Sequence, residues 1–225
     1  MALRRVIRTL VPNSVMEWRK ARRHRKHFGD ADYAEAFKIV HDKNLWKDPE
    51  SLSGGGSTVA FTQSIRQGLS DWLNSNEIKS LVDLPCGDFN WMRLVDFPAG
   101  MEYIGIDIVE DLIAANLANH ASDRHRFEVG DIIAGPVPKA EVYFCRDVFI
   151  HFPNSAVEKS IQNVKAAGAK YLIATTFPDV TEKTDTVFPN SRRQNMALFL
   201  GEPEELLDDN DDGRTDKFMG VWKLD

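Results

Sequence analysis

Residues 80–92 read Ser-Leu-Val-Asp-Leu-Pro-Cys-Gly-Asp-Phe-Asn-Trp-Met. The apolar run Leu81, Val82 and Leu84 is short enough for a buried strand. It breaks at Pro85 and Gly87, and then Phe89, Trp91 and Met92 resume an apolar pattern that looks helical. Strand, glycine turn and helix start together make a ligand cradle. Gly87 has no Cβ, so the backbone can come close to a ligand and positive φ is cheap. Amides at a helix start face polar ligand groups. Asp83, just ahead of the turn, argues against a phosphate and for a ligand with a cationic or hydroxyl-rich part.

Strands and helices alternate beyond this turn. Tyr103–Ile108, Arg126–Val129, Glu141–Cys145 and Lys170–Phe177 read as strands, and Glu110–His120 and Asn154–Ala167 read as helices. Glu110 and Asp111 suit the first turn of their helix, where the dipole favours acids. Such alternation predicts an α/β fold: a Rossmann-like, doubly wound, mainly parallel seven-stranded sheet. Ligands bind beyond the carboxyl ends of the strands in such sheets. Asp83, Asp107, Asp131, Arg146, Asp147, Thr175 and Thr176 all fall there. Two later apolar patches, Met196–Leu200 and Phe218–Trp222, predict an antiparallel strand pair at the sheet edge. The stretch between them carries seven acids among residues 202–212 and reads as a solvated loop. Asp208, Asn210, Asp212 and Gly213 imitate the start of a calcium loop, but Met219 stands where the bidentate carboxylate belongs.

Upstream, residues 1–50 read as an N-terminal helical extension with a basic arm, and residues 51–225 as the main domain. Residues 1–27 hold nine Lys/Arg against one acid, leaving 19 bases and 33 acids, a net of −14, for the rest. The arm fits peripheral contact with anionic lipid or an acidic partner; it fits a docked or solvated helix pair equally. The acidic body is a poor surface for nucleic acid. Asp30–Lys47 and Thr58–Leu73 read as helices. Gly54–Gly56 between them is either a lid over the cradle or a plain linker. Arg66, on the second of these helices, is a candidate partner for a ligand carboxylate. No apolar run approaches the ~18 residues of a membrane span, and no signal peptide is evident. Cys86 and Cys145 are far apart and lack the spacing of a zinc site, which points to a reducing, cytoplasmic setting with no metal.

The turn Pro85-Cys86-Gly87-Asp88 has one glycine and an added acid. A nicotinamide fingerprint would require Gly-x-Gly-x-x-Gly, and a P-loop would require Gly-Lys-Ser/Thr. The cradle therefore suits a nucleoside with a cationic or amino-acid end. Asp107 stands where a carboxylate holds ribose hydroxyls, and Asp131 can accept from an adenine amino group. With VDLPCGDF (82–89), YIGIDI (103–108), VGDI (129–132) and CRDVFIHF (145–152) in this order, the chain resembles the class I S-adenosylmethionine-dependent methyltransferases. The motifs SGGGS, LPCGDFNWM and CRDxxxHF narrow the resemblance to a bacterial-type family. It departs from the family's first motif in carrying Pro85 and Cys86 where glycine is common.

The resemblance implies S-adenosylmethionine as cofactor. Asp83, Cys86 and Gly87 would then line its methionine end. Asp107 would hold the ribose, with Ile108 beside the adenine, and Asp131 and Ile132 would read the adenine. The backbone at Cys145 and Arg146 would approach the sulfonium. Asp147 and His151 are the candidates for taking the acceptor's proton; four apart, they would share a face of a helical turn. Arg192, Arg193 and Asn195 are candidates for binding an acidic or sugar acceptor. The expected activity is methyl transfer to an oxygen, less readily a nitrogen, of a small molecule or saccharide. A non-catalytic methyltransferase-like scaffold and a nicotinamide-dependent oxidoreductase stay open as alternatives, as does the oligomeric state.

Overall fold

A computed structural model describes residues 33–186, 190–211, 213 and 216–224. The basic arm, and the lipid contact expected of it, lie outside these residues. Seven strands form one sheet: β1 (Ser80–Asp83), β2 (Glu102–Asp107), β3 (His125–Val129), β4 (Val142–Cys145), β5 (Tyr171–Thr176), β6 (Glu205–Asp208) and β7 (Phe218–Lys223). Their spatial order is β3-β2-β1-β4-β5-β7-β6. The first five strands run parallel, while β7 pairs antiparallel with both β5 and β6. The predicted doubly wound architecture is therefore observed. The chain runs outward from β1 to β3, then returns to β4 on the other side of β1. That reversal opens a crevice at the carboxyl ends of β1 and β4.

Alternate residues feed two cores, as the two-residue period of a strand requires. Leu81, Tyr103, Val142, Phe144, Ile173 and Val221 face one side and pack with Ile65, Leu69 and Leu73 of helix α2 (Gln63–Ser75) and Ile113 of helix α3 (Glu110–His120). Val82, Ile104, Tyr143, Leu172 and Trp222 face the other and pack with Val157, Ile161 and Val164 of helix α4 (Asn154–Ala166). Burial on both faces explains why these strands read as continuous apolar runs. Each fully buried Leu, Ile or Val contributes about 1.5–3 kcal/mol. Helix α1 (Tyr33–Asp42) makes a small cluster of its own through Ala36 and Val40 and joins the second core through Phe37.

Two expectations fail. No helix follows the glycine turn; after β1 the chain stays irregular apart from a single 3-10 turn at Met92–Leu94. Phe89 sits at φ +55° and turns into an aromatic cluster, 4.9 Å from the Tyr103 ring and 5.1 Å from Phe127. Its apolar spacing therefore reports burial against the sheet rather than a helix face. The second failure is at the edge. Ala197–Leu200 is one helical turn, α5, and the partner of β7 is Glu205–Asp208, inside the acidic stretch expected to be a loop. Leu207 alone of these four residues is buried, while its neighbours face water, so the strand left no apolar run to read.

Candidate functional site

A cavity of about 370 Å³ opens at the β1/β4 crevice. This lies within the usual size range of small-ligand sites. Its lining gathers most of the residues expected from sequence: Asp83, Cys86 and Gly87 from the end of β1, Asp107 and Ile108 from the end of β2, Asp131 and Ile132 beyond β3, and Arg146, Asp147 and His151 beyond β4. Residues separated by up to 68 positions meet because parallel strands end on one edge.

The turn after β1 is built by its neighbours. Gly87 has φ +56°, and its N–H donates to Asp107 Oδ2 at 3.0 Å. Asp107 Oδ1 accepts from the Val109 N–H at 3.0 Å, so both oxygens of this buried carboxylate are fixed while each keeps a further lone pair. Burial raises the Asp107 carboxyl above its usual range, with these amides opposing the rise. Asn116 of α3 donates to Gly87 O at 2.8 Å. A Cβ on Gly87 would come 2.1 Å from Ser53 Oγ. What presses on this glycine is thus the glycine-rich segment of the protein itself.

That segment is clasped to the turn. Asp88 accepts from the Leu52 N–H at 2.8 Å, its own N–H donates to Ser53 Oγ at 3.1 Å, and Asn90 donates to Ser57 O at 3.2 Å. Gly54–Gly56 line the cavity, with Gly54 at φ +91° against the Trp46 ring. Between lid and linker, the geometry makes this segment a cavity wall. Phe37, His41 and Trp46 line it too, so residues before position 51 help build the site.

Asp83 is 3 % exposed and accepts from the Tyr103 hydroxyl at 2.6 Å. Burial pushes its carboxyl up to about 8, against the opposing pull of that hydrogen bond. In the unfolded chain an Asp titrates near pH 4. Between roughly pH 4 and pH 8 the folded state therefore binds the extra proton, and this group makes stability fall as pH rises through that window. Asp83→Asn is expected to remove the effect. Urea melts from pH 5 to 8 should show the wild type losing stability relative to the variant by on the order of 1 kcal/mol per pH unit. Parallel pH profiles would show instead that Asp83 is ionised throughout.

Asp147 and His151 both line the cavity, but not as two positions on one helical turn. Asp147 has φ +57°, and only Phe149–His151 forms a 3-10 turn. The Asp147 N–H donates to Thr175 Oγ1 at 2.7 Å, and Lys217 Nζ reaches Asp147 Oδ2 at 2.7 Å. Burial alone would raise this carboxyl, but Lys217 and Arg146 outweigh it and hold it at about 2. A carboxylate that acidic is a weak base. The His151 ring stands edge-on to Phe37, with centroids 6.2 Å apart.

Arg146 donates from Nε and Nη2 to Asp209 at 2.9 and 2.8 Å and from Nη1 to Gly56 O at 2.8 Å. Asp209 and Lys217 had no signal in the sequence; Arg146 and Asp147, which they meet at the site, lie 63 and 70 residues away. Four other candidates stand outside the cavity wall. Arg66 donates to Thr62 O and Val59 O and borders a separate polar depression. Arg192 binds Phe152 O and Asn154, Arg193 pairs with Asp179 and Asp216 on the surface, and Asn195 braces the turn at Val180. Ser191 is the member of that loop that lines the cavity. Cys145 is fully buried in the second core, one residue short of the site. At the lip, ligand atoms of His41, Asp42 and Asp111 lie within 4.8 Å of one another. Both acids there are exposed, as carboxylates without an ion commonly are.

No protein-family model matches the sequence, and no curated protein matches it. Solved structures do. PigF with SAH aligns over 99 % of this chain and 72 % of its own at TM-score 0.62 and 14 % identity. The magnesium protoporphyrin IX methyltransferase ChlM from Synechocystis PCC 6803, with bound SAM, aligns over 86 % and 98 % at TM-score 0.59 and 14 % identity. The fold is the one these structures share. The mitomycin 7-O-methyltransferase MmcR aligns over 74 % of this chain at TM-score 0.54 and 15 % identity, and there the chain spans about half the neighbour's length, 54 %. The N,N-8-amino-8-demethyl-D-riboflavin dimethyltransferase RosA from Streptomyces davawensis is likewise spanned over about half its length, 55 %. Among the described residues, no helix is long and apolar enough to cross a membrane.

Proposed function

We propose that this protein is an S-adenosylmethionine-dependent methyltransferase acting on an oxygen, less readily a nitrogen, of a small molecule or saccharide. The observation that carries the reading is the meeting of Asp83, Asp107 and Asp131, from the ends of three successive strands, in one cavity. Three carboxyl groups with Ile108 and Ile132 beside them suit a ligand that combines a ribose diol, a flat apolar base and an ammonium group, whose charge would draw the Asp83 carboxyl into its ionised form on binding. Arg146 is the sole Lys or Arg lining the cavity among the described residues, and it is committed to Asp209 and Gly56. A pyrophosphate would find no counter-charge there, which speaks against a nicotinamide dinucleotide.

When bound, the cofactor supplies an electrophilic methyl group. Asp107, fixed by two amides, would hold the ribose; Asp131 and Ile132 would meet the base; Asp83, Cys86 and Gly87 would meet the amino-acid end. Positioning then does most of the work. Asp147 is too acidic to take a hydroxyl proton well, so that role falls to His151, with Asp147 orienting the acceptor.

Calorimetric titration should show binding of S-adenosylhomocysteine in the micromolar range. Transfer from tritiated S-adenosylmethionine should then be screened over phenols, sugars and amines. His151→Ala is expected to lower transfer about 100-fold or more while S-adenosylhomocysteine affinity stays within about threefold. No binding by the intact protein would sink the reading, and binding with no acceptor ever methylated would favour a scaffold.

A further inference from the structure

Lys217 precedes β7 and is 1 % exposed. Its Nζ lies 2.7 Å from Asp147 Oδ2 and 2.9 Å from Asp209 Oδ2. Asp209, with a fully buried side chain, takes two hydrogen bonds from Arg146, whose remaining guanidinium nitrogen donates to Gly56 O. Two cations and two anions thus alternate along a chain of contacts from the glycine-rich wall, past the end of β4, to the β6–β7 connection. Taking four charges out of water is costly, and an apolar filling of the same volume would often serve stability as well. Lys217 and Asp209 are sequestered, and Arg146 reaches the cavity wall with a nearly buried side chain; Asp147 lines the cavity with a partly exposed one. Its backbone is pinned to Thr175 Oγ1 at 2.7 Å and held at positive φ. Its Oδ1 lies 3.2 Å from the same hydroxyl, and its Oδ2 is held by Lys217. One carboxylate is constrained from three sides.

We propose that Lys217 is a positioning residue that holds Asp147 as a permanently ionised, fixed hydrogen-bond acceptor in the cavity wall. The inference deepens the methyltransferase reading: it makes Asp147 the group that orients an acceptor bearing a hydrogen-bond donor, whether hydroxyl or amine. The ionisable groups around Asp147 are Lys217, Asp209, the adjacent Arg146 and His151. Removing Lys217 subtracts the strongest attraction while leaving Arg146 3.7 Å away.

The test is a pH titration of the Asp147 carboxyl carbon by NMR in the full chain labelled with ¹³C-aspartate, the signal being assigned with Asp147→Asn. Wild type and Lys217→Arg are expected to show no ionisation step above about pH 4. Lys217→Met should raise the proton affinity of Asp147 at least tenfold. Lys217→Met leaves Asp209 and Asp147 against one cation, which endangers folding, so Lys217→Met/Asp209→Asn is measured beside it; that pair keeps Arg146 and Asp147 balanced. A double variant that titrates like Asp209→Asn alone, or a Lys217→Arg protein that behaves like the Met variant, would overturn the proposal. A wild-type protein that fails to bind S-adenosylhomocysteine would overturn the methyltransferase reading instead, which the titration does not depend on.

Discussion

Asp107→Ala is expected to weaken S-adenosylhomocysteine binding at least ~100-fold in calorimetry. Two hydrogen bonds to a charged acceptor contribute about 1.5–3 kcal/mol each, and ~2.7 kcal/mol is already a factor of 100. The substitution also frees the Gly87 and Val109 amides, so the turn that faces the amino-acid end of the ligand loses its anchor. Asp107→Asn separates the two effects. It keeps one carbonyl oxygen and near-identical shape, and should bind with intermediate affinity. An alanine variant that binds within about threefold of wild type would reduce Asp107 to an anchor of the turn and remove it from the ligand contacts.

Asp209→Ala is expected to be among the most destabilising single substitutions in the chain. It leaves Arg146 and Lys217 buried beside each other with Asp147 alone for compensation. Breaking a buried ion pair by removing one partner costs about 3–5 kcal/mol, a large share of the 5–15 kcal/mol that holds a typical domain together. Urea denaturation at pH 7 measures it directly. The loss should be accompanied by a more open glycine-rich wall, because Gly56 O is held by the same guanidinium; faster amide exchange at residues 53–58 would report that. A loss below about 1 kcal/mol would mean that water reaches the quartet and screens it.

Much of this molecule is readable in the order of its residues. The apolar runs at Leu81–Leu84, Tyr103–Ile106, Val142–Cys145 and Leu172–Ala174 mark strands buried on two faces, and the helix Glu110–His120 is found at its expected bounds. Polar residues that interrupt such runs at the carboxyl ends mark the site, because parallel strands end on one edge. Periodicity reports which side chains leave water, and it does so whatever they pack against. That is also why it misled at Phe89–Met92 and Met196–Leu200, where apolar spacing reflected burial of a loop and a single helical turn.

The stretch Ser80–Met92, with the acids at the ends of the next two strands, determined the fold class and the place of the cavity. Tertiary structure alone decided what the polar groups do. Arg66 turned back on the residues that precede its helix, and Arg146 spent its donors on Asp209 and Gly56 rather than on a ligand. Asp147 met Lys217 across 70 residues, and that cation holds its carboxyl well below the usual carboxylate range. Apolar burial is local and periodic, so it is written along the chain. The partner of a charge is chosen by which segments the sheet brings together, and no local pattern carries that choice.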